Sequence, residues 1–126
     1  MTPQELSRLL EVVEQDIVPL TRKGVAAGNK VFGAAILRTT DLSLVVAATN
    51  EEVECPLWHG EMVAIRDFSA LPVDQRPGPD QCLLLSTHEP CPMCLAASAW
   101  AGEFPGRHQI GKVGDRCVAG EQIEQG

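Results

Sequence analysis

The segments Pro90-Cys91-Pro92-Met93-Cys94 and His59-Gly60-Glu61 each stand where a helical pattern begins. Pro92 suits the first position of a helix, because the backbone amide at that position makes no hydrogen bond within the helix. Apolar residues then recur at helical spacing up to a stop at Gly102. Cysteines three positions apart on such a helix lie about one turn apart. The two segments therefore predict two helix N-termini, both with side chains able to bind a metal ion.

The N-terminal segment predicts a further helix. Thr2-Pro3-Gln4-Glu5 has the pattern of a capping box, in which the Thr2 hydroxyl and the Glu5 carboxylate each bond to the other residue's amide. Apolar residues follow at helical spacing until Pro19. We expect this helix to end near Leu20, because proline interrupts a helix interior.

Three apolar runs predict strands, and the first two follow each other closely enough to form a hairpin. The runs are Val31–Arg38, Leu42–Thr49 and Cys82–Thr87. A helical pattern from about Gly60 to Ala70 lies between the second and the third. The order helix, strand, strand, helix, strand, helix is typical of an α/β fold, here a three-layer αβα sandwich with helices on both faces of a central sheet.

The C-terminal segment differs in composition from the rest. Residues 103–126 contain five glycines and few branched aliphatic residues. We expect no firm element there, and at most a weak edge strand over His108–Val113. The sequence thus predicts a core over residues 1–102 and an atypical Gly-rich tail over residues 103–126.

Length and charge exclude several classes of protein. The chain has 126 residues and 10 Lys and Arg against 17 Asp and Glu, for a net charge of −7. This size predicts one domain. Its longest strongly apolar stretch is far shorter than the roughly 20 residues that cross a bilayer. The acidic balance argues against nucleic acid as a partner and favours a small substrate. Without a visible secretory signal, we expect a cytoplasmic location.

The two helix starts bring together ligands that suit zinc. An imidazole from His59 and thiolates from Cys91 and Cys94 are ligands that Zn²⁺ prefers, and three protein ligands leave the fourth position open, as in a catalytic site. A helix N-terminus is expected to lower the pKa of both thiols. Glu61 stands close enough to act as a proton shuttle for a water that the metal activates. A fourth protein ligand, with Cys117 or His88 as candidates, would instead indicate a structural site.

His59-x-Glu61 followed by Pro90-Cys91-x-x-Cys94 resembles the signature of the zinc-dependent cytidine and deoxycytidylate deaminase superfamily. The resemblance implies one Zn²⁺ per chain on His59, Cys91 and Cys94, with Glu61 as general acid and base. It also implies a mixed central sheet and hydrolytic deamination, in which ammonia leaves a free nucleobase or nucleoside.

The resemblance extends to a base pocket. Val31-Phe32-Gly33-Ala34-Ala35 is similar to the first strand of the family, whose aromatic residue, here Phe32, lines the pocket. Asn50 stands where a base- or sugar-binding asparagine ends the second strand, and the Gly60 amide would face the substrate ring. The motif from Glu89 to Cys94 looks most like guanine deaminases and tRNA adenosine deaminases. Guanine is therefore favoured, cytosine and cytidine come next, and a homodimer is expected.

Two features depart from the family pattern. Gly60 replaces the usual alanine, and the tail after Gly102 replaces further strands and a helix. We therefore hypothesise that the tail is truncated or differently encoded. A non-catalytic zinc module of the same fold and a tRNA adenosine deaminase are the alternatives to a nucleobase deaminase.

Overall fold

The computed structural model describes residues 2–101 with their side chains, and the backbone of two strands at 106–113 and 116–122. The helices are α1 (Pro3–Val12), α2 (Val18–Ala26), α3 (Gly60–Ser69) and α4 (Pro92–Trp100). The strands are β1 (Gly33–Arg38), β2 (Leu44–Thr49), β3 (Cys82–Ser86), β4 (Gly106–Val113) and β5 (Arg116–Gln122). No helix in this part of the chain is long and apolar enough to cross a membrane.

The N-terminal helix begins as the sequence predicts and continues further. Both bonds of the capping box between Thr2 and Glu5 are present. The predicted end near Leu20 is wrong, because a π-helical turn at Val13–Ile17 joins α1 to α2, which runs to Ala26. Pro19 lies in the first turn of α2. The chain is helical on both sides of Pro19, since Ile17 and Val18 also have right-handed helical backbone. A proline in such a place costs one helical hydrogen bond, and the π-helical turn just before it is the local distortion of the helix at this point.

The strands form one mixed sheet in the order β2-β1-β3-β4-β5. β1 pairs antiparallel with β2 and with β3, β3 pairs parallel with β4, and β4 pairs antiparallel with β5. The hairpin of β1 and β2 was predicted from the short connection between them. β3 and β4 are parallel, so the chain must cross from the end of β3 back to the start of β4, and α4 lies in this connection.

The sheet has an apolar cluster on each face, because alternate residues of a strand point to opposite sides. On one face, Ala35 and Leu37 of β1 pack with Leu9 and Val12 of α1. On the other face, Ala34 and Ile36 pack with residues of α3, which are Val63, Ala64 and Phe68. α4 contacts α3 on this second face. The three-layer αβα sandwich is confirmed.

The region after Gly102 differs from its prediction. Instead of at most a weak edge strand over His108–Val113, β4 spans Gly106–Val113 and lies inside the sheet between β3 and β5. Local composition could not reveal this, because the pairing that holds β4 comes from the distant strand β3. The division into a core over 1–102 and a tail over 103–126 stays a prediction.

Candidate metal centre and base pocket

Two helix starts and one strand end build the candidate site. His59 is the N-cap residue of α3, and Cys91 is the N-cap residue of α4. Cys94 lies one turn into α4 and is buried, with 1% of its surface exposed. Since α3 and α4 lie on the same face of the sheet, their first turns bring these three side chains together.

The three candidate ligand atoms have the spacing of a zinc site. Cys91 Sγ lies 3.5 Å from Cys94 Sγ and 3.6 Å from His59 Nδ1, and Cys94 Sγ lies 3.7 Å from the same nitrogen. Tetrahedral Zn²⁺ with its usual bond lengths separates two sulfur ligands by about 3.8 Å, and a sulfur from a nitrogen by about 3.6 Å. The donor set therefore fits zinc, and His59 would bind through Nδ1.

The environment of the Cys94 thiol differs from the one that the helix N-terminus alone predicts. Burial raises the pKa of the Cys94 thiol, and the neighbouring Glu61 carboxylate raises it further. Both effects disfavour the thiolate, because a buried anion loses its hydration and a neighbouring anion repels it. A cation such as Zn²⁺ would supply compensating charge, since zinc binds thiolates rather than thiols.

Glu61 is the buried acid of the site. It lies in the first turn of α3 with 5% of its surface exposed. The Ser86 hydroxyl lies within hydrogen-bonding distance of Glu61 Oε1. A cavity of about 150 Å³ opens beside it, with Glu61, His59 and Cys91 in its wall. The Glu61 carboxyl group therefore lies beside the candidate metal site and lines the adjoining cavity.

Asn50 and Gly60 are joined by a hydrogen bond. Asn50 follows β2 directly, is 2% exposed, and its Oδ1 accepts from the Gly60 amide at 2.6 Å. Asn50 also lines the cavity. In this structure the Gly60 N–H is bonded to Asn50, and the expected contact of the Gly60 amide with a substrate ring stays a prediction. Gly60 thereby fixes the orientation of the Asn50 amide group.

Phe32 and His88 also line the cavity, and the role of Phe32 in base binding stays a prediction. The two rings meet edge to face, with centroids 4.4 Å apart. Burial lowers the pKa of His88, although the Glu61 carboxylate acts in the opposite direction. Lys30 and Glu89 complete the polar part of the wall.

His88, one of the two candidates for a fourth ligand, is not part of the cluster of His59, Cys91 and Cys94. His88 Nδ1 lies 2.8 Å from Thr87 Oγ1. Among residues 2–101, the group within reach of one metal ion consists of His59, Cys91 and Cys94. The side chain of Cys117 lies outside the described part of the structure.

Sequence reasoning missed Ser86. It is the last residue of β3 and is 1% exposed. The available signal was a single hydroxyl at the end of an otherwise apolar buried strand, but its partner Glu61 stands 25 positions earlier in the chain. No local pattern connects the two.

Comparisons with known proteins agree with this geometry. The family model described as the cytidine and deoxycytidylate deaminase zinc-binding region matches residues 10–105. A guanine deaminase of Bacillus subtilis (strain 168) is 38% identical over 87 aligned positions, and the match covers 67% of this chain and 53% of the relative.

Solved structures of guanine deaminases also match this chain. A guanine deaminase from Nitrosomonas europaea matches with a TM-score of 0.58 at 29% identity, over 80% of this chain and 54% of that chain. The X-ray structure of the guanine deaminase from Bacillus subtilis matches with a TM-score of 0.55 at 33% identity, over 80% and 59% of the two chains. The chain spans about half the length of the relatives it matches.

The matched region contains the two helix starts, the cavity and all three candidate ligands. The resemblance to a zinc-dependent superfamily and the expected zinc cofactor are both confirmed. Because the family model covers most of its length, the chain belongs to the cytidine and deoxycytidylate deaminase zinc-binding family.

Proposed function

We propose that the chain is a zinc-dependent hydrolase that releases ammonia from a free nucleobase or nucleoside, with guanine first and cytosine or cytidine next. The observation that carries this proposal is the buried Glu61 carboxyl group, which shares one cavity wall with His59 and Cys91. The guanine deaminases among its relatives favour guanine. When bound, zinc makes water a nucleophile at neutral pH.

In this proposal the metal ligands are His59, Cys91 and Cys94, and Glu61 is the catalytic acid and base. Glu61 takes a proton from the attacking water and delivers it to a ring nitrogen of the base. It then transfers the second proton of that water to the departing amino group, which leaves as ammonia. Water supplies the oxygen of the product, so the base exchanges its amino group for a carbonyl oxygen.

Phe32 and Asn50 are the proposed substrate contacts. Both line the cavity, and Phe32 offers an aromatic ring to a planar base. Asn50 Oδ1 is bonded to Gly60, and the Asn50 side chain also hydrogen-bonds the Glu52 carboxylate. The remaining N–H of its NH₂ group is therefore the part that we propose meets the substrate. Asn50 would therefore donate to an acceptor on the base. Gly60 contributes by holding Asn50.

The size of the cavity supports a small substrate. Its volume of about 150 Å³ is below the roughly 300–1,000 Å³ of typical sites for drug-sized ligands. A single base fills such a space better than a polymer does. The net charge of −7 also disfavours tRNA, because RNA binding relies on neutralising phosphates.

Assembly and location extend the proposal. We infer a homodimer from the resemblance to the deaminase family, and the 90% exposed Trp100 at the end of α4 is a residue whose substitution would test it. A cytoplasmic location is supported by the free thiols of Cys55 and Cys82, since free cysteines are typical of reducing compartments.

Ammonia release tests the proposed reaction. The zinc-loaded chain is incubated with guanine, adenine, cytosine and their nucleosides, alongside the variants Glu61→Ala and Glu54→Ala. Glu54 is an exposed acid in the loop before α3 and serves as the matched control. We expect turnover of guanine that Glu61→Ala abolishes and Glu54→Ala retains.

Two other results would point elsewhere. No ammonia from any compound, with folded and zinc-loaded protein, would favour a non-catalytic zinc module. A mobility shift with tRNA that weakens steeply with added salt would favour a tRNA adenosine deaminase.

A further inference from the structure

Ser86 is a buried hydroxyl in apolar surroundings. It ends β3, whose other residues are Cys82, Leu83, Leu84 and Leu85, and all five are buried. A hydroxyl in such a place costs free energy unless it is hydrogen-bonded. Ser86 Oγ has two acceptors within reach, Glu61 Oε1 and, at 2.6 Å, the backbone oxygen of His88.

We propose that Ser86 is a positioning residue that holds the Glu61 carboxyl group against the base pocket. This inference rests on the proposed function, in which Glu61 moves protons between water and substrate. It assigns a role to a residue that neither the family signature nor the predicted ligand set includes.

The chemistry of a hydroxyl fits this role. Ser86 has one hydrogen to donate and two lone pairs with which to accept. It can donate to the Glu61 carboxylate, or accept a hydrogen bond from the Glu61 carboxyl group while donating to the oxygen of His88. One side chain can therefore hold Glu61 in place before and after the proton is transferred.

The location of Ser86 makes it a rigid anchor. Its backbone is opposite Ala34 of β1 on one side and opposite Gln109 of β4 on the other, so it lies within the sheet. Glu61 has a long side chain with several rotatable bonds and lies in the first turn of α3. Catalytic groups work best when neighbouring residues fix their orientation within about 0.5 Å. A central strand provides such a support for the more flexible glutamate.

Steady-state kinetics of four proteins tests the role: the wild type, Ser86→Ala, Ser86→Thr and Ser98→Ala. Ser98 is the matched control, because it is also buried, but its hydroxyl donates to the backbone oxygen of Leu95 within α4. All four proteins are checked for zinc content and thermal unfolding. A serine that only satisfies the core would affect stability and leave kcat unchanged.

We expect Ser86→Ala to bind zinc as the wild type does and to lose on the order of 10- to 100-fold in kcat with little change in KM, because misplaced catalytic groups slow the chemical step. Ser86→Thr should restore most of the loss, and Ser98→Ala should behave as the wild type. A wild-type kcat in Ser86→Ala, or equal losses in Ser86→Ala and Ser98→Ala, would overturn the inference.

Crystal structures of the zinc-loaded wild type and Ser86→Ala test the positioning role of Ser86 independently of turnover. We expect the Glu61 carboxyl group to leave its position in the variant. An unmoved Glu61 would overturn the positioning role even if the wild type releases no ammonia. Absent turnover in the wild type would count against the proposed function alone.

Discussion

The Gly60 amide donates to Asn50 Oδ1 across 2.6 Å, and this bond joins the end of β2 to the start of α3. The intervening loop is also closed by the Glu51 amide, which donates to the oxygen of Trp58 at 2.8 Å. His59 follows this loop directly. The same bond therefore orients a cavity-lining amide and fixes the helix start that presents a candidate metal ligand.

Replacement of Asn50 by alanine should destabilise the fold. The variant leaves the buried Gly60 amide without its acceptor, which costs about 1–3 kcal/mol in the free energy of unfolding. Asn29→Ala is the matched control, because Asn29 Oδ1 also accepts from a backbone amide, that of Val53, but at an exposed position. Urea unfolding of both variants measures the difference. Equal losses in the two variants would contradict the structural role of the Asn50 bond.

Zinc stoichiometry should depend on three side chains. We expect one zinc per wild-type chain, and much less after His59→Ala, Cys91→Ala or Cys94→Ala, because two remaining ligands hold the ion poorly. Cys55→Ala is the control, since Cys55 is a free cysteine outside the described cluster. Elemental analysis after dialysis measures the zinc content per chain of each variant. Full zinc content in any of the three ligand variants would remove that residue from the site.

Much of the fold could be predicted because its signals are local. The starts of α3 and α4 follow from short motifs, and the predicted metal ligands come together because both helices pack on one face of the sheet. Pro19 misled the prediction, because a proline that ends a helix and a proline with helical chain on both sides look alike in sequence. The π-helical turn just before Pro19 has no clear sequence signal.

The missed features depend on contacts between distant residues. β4 is held by pairing with β3, and its glycines Gly106 and Gly111 give it the composition of a loop. The contact of Ser86 with Glu61 depends on how α3 packs against the sheet. Spacing along the chain does not determine such relationships, and the structure was needed to find them.

Stability should depend on pH through Asp41, in the turn between β1 and β2. Hydrogen bonds from the hydroxyl and then the amide of Ser43 hold the pKa of Asp41 below its ordinary value of 3.8. A carboxyl group whose pKa is lowered by folding stabilises the fold above its ordinary pKa, and that contribution is lost as the pH falls through the lowered value. Asp41→Asn removes this pH dependence.

We expect wild type and Asp41→Asn to differ in melting temperature near neutral pH and to converge as the pH falls below 3.8 and through the lowered pKa of Asp41. Thermal unfolding followed by circular dichroism across this range checks the result. A constant difference between the two proteins at every pH would show that the Asp41 charge has no part in stability.

Gly33 should tolerate no side chain. It begins β1, and a Cβ atom added there would lie 2.3 Å from Ile17 Cγ2 and 3.1 Å from the backbone oxygen of Ala48. Ile17 ends the π-helical turn and is 1% exposed, so it has no room to move away. Gly33→Ala should therefore cost about 1–3 kcal/mol in the free energy of unfolding, as overpacked cores do.

Gly78→Ala is the control that separates this contact from a general effect of replacing glycine. A Cβ at Gly78 would also meet an atom closely, Asp80 Oδ1 at 2.6 Å, but that carboxylate is exposed and can rotate away. The backbone of Gly78, with φ −62°, suits alanine. We expect Gly78→Ala to leave the stability unchanged or to raise it by about 0.4–1 kcal/mol, because alanine restricts the unfolded chain. Urea unfolding measures the stability of both variants. Equal stability of Gly33→Ala and Gly78→Ala would contradict the prediction. It would show that Ile17 can move away from an added Cβ atom, so that the π-helical turn does not need a glycine beside it.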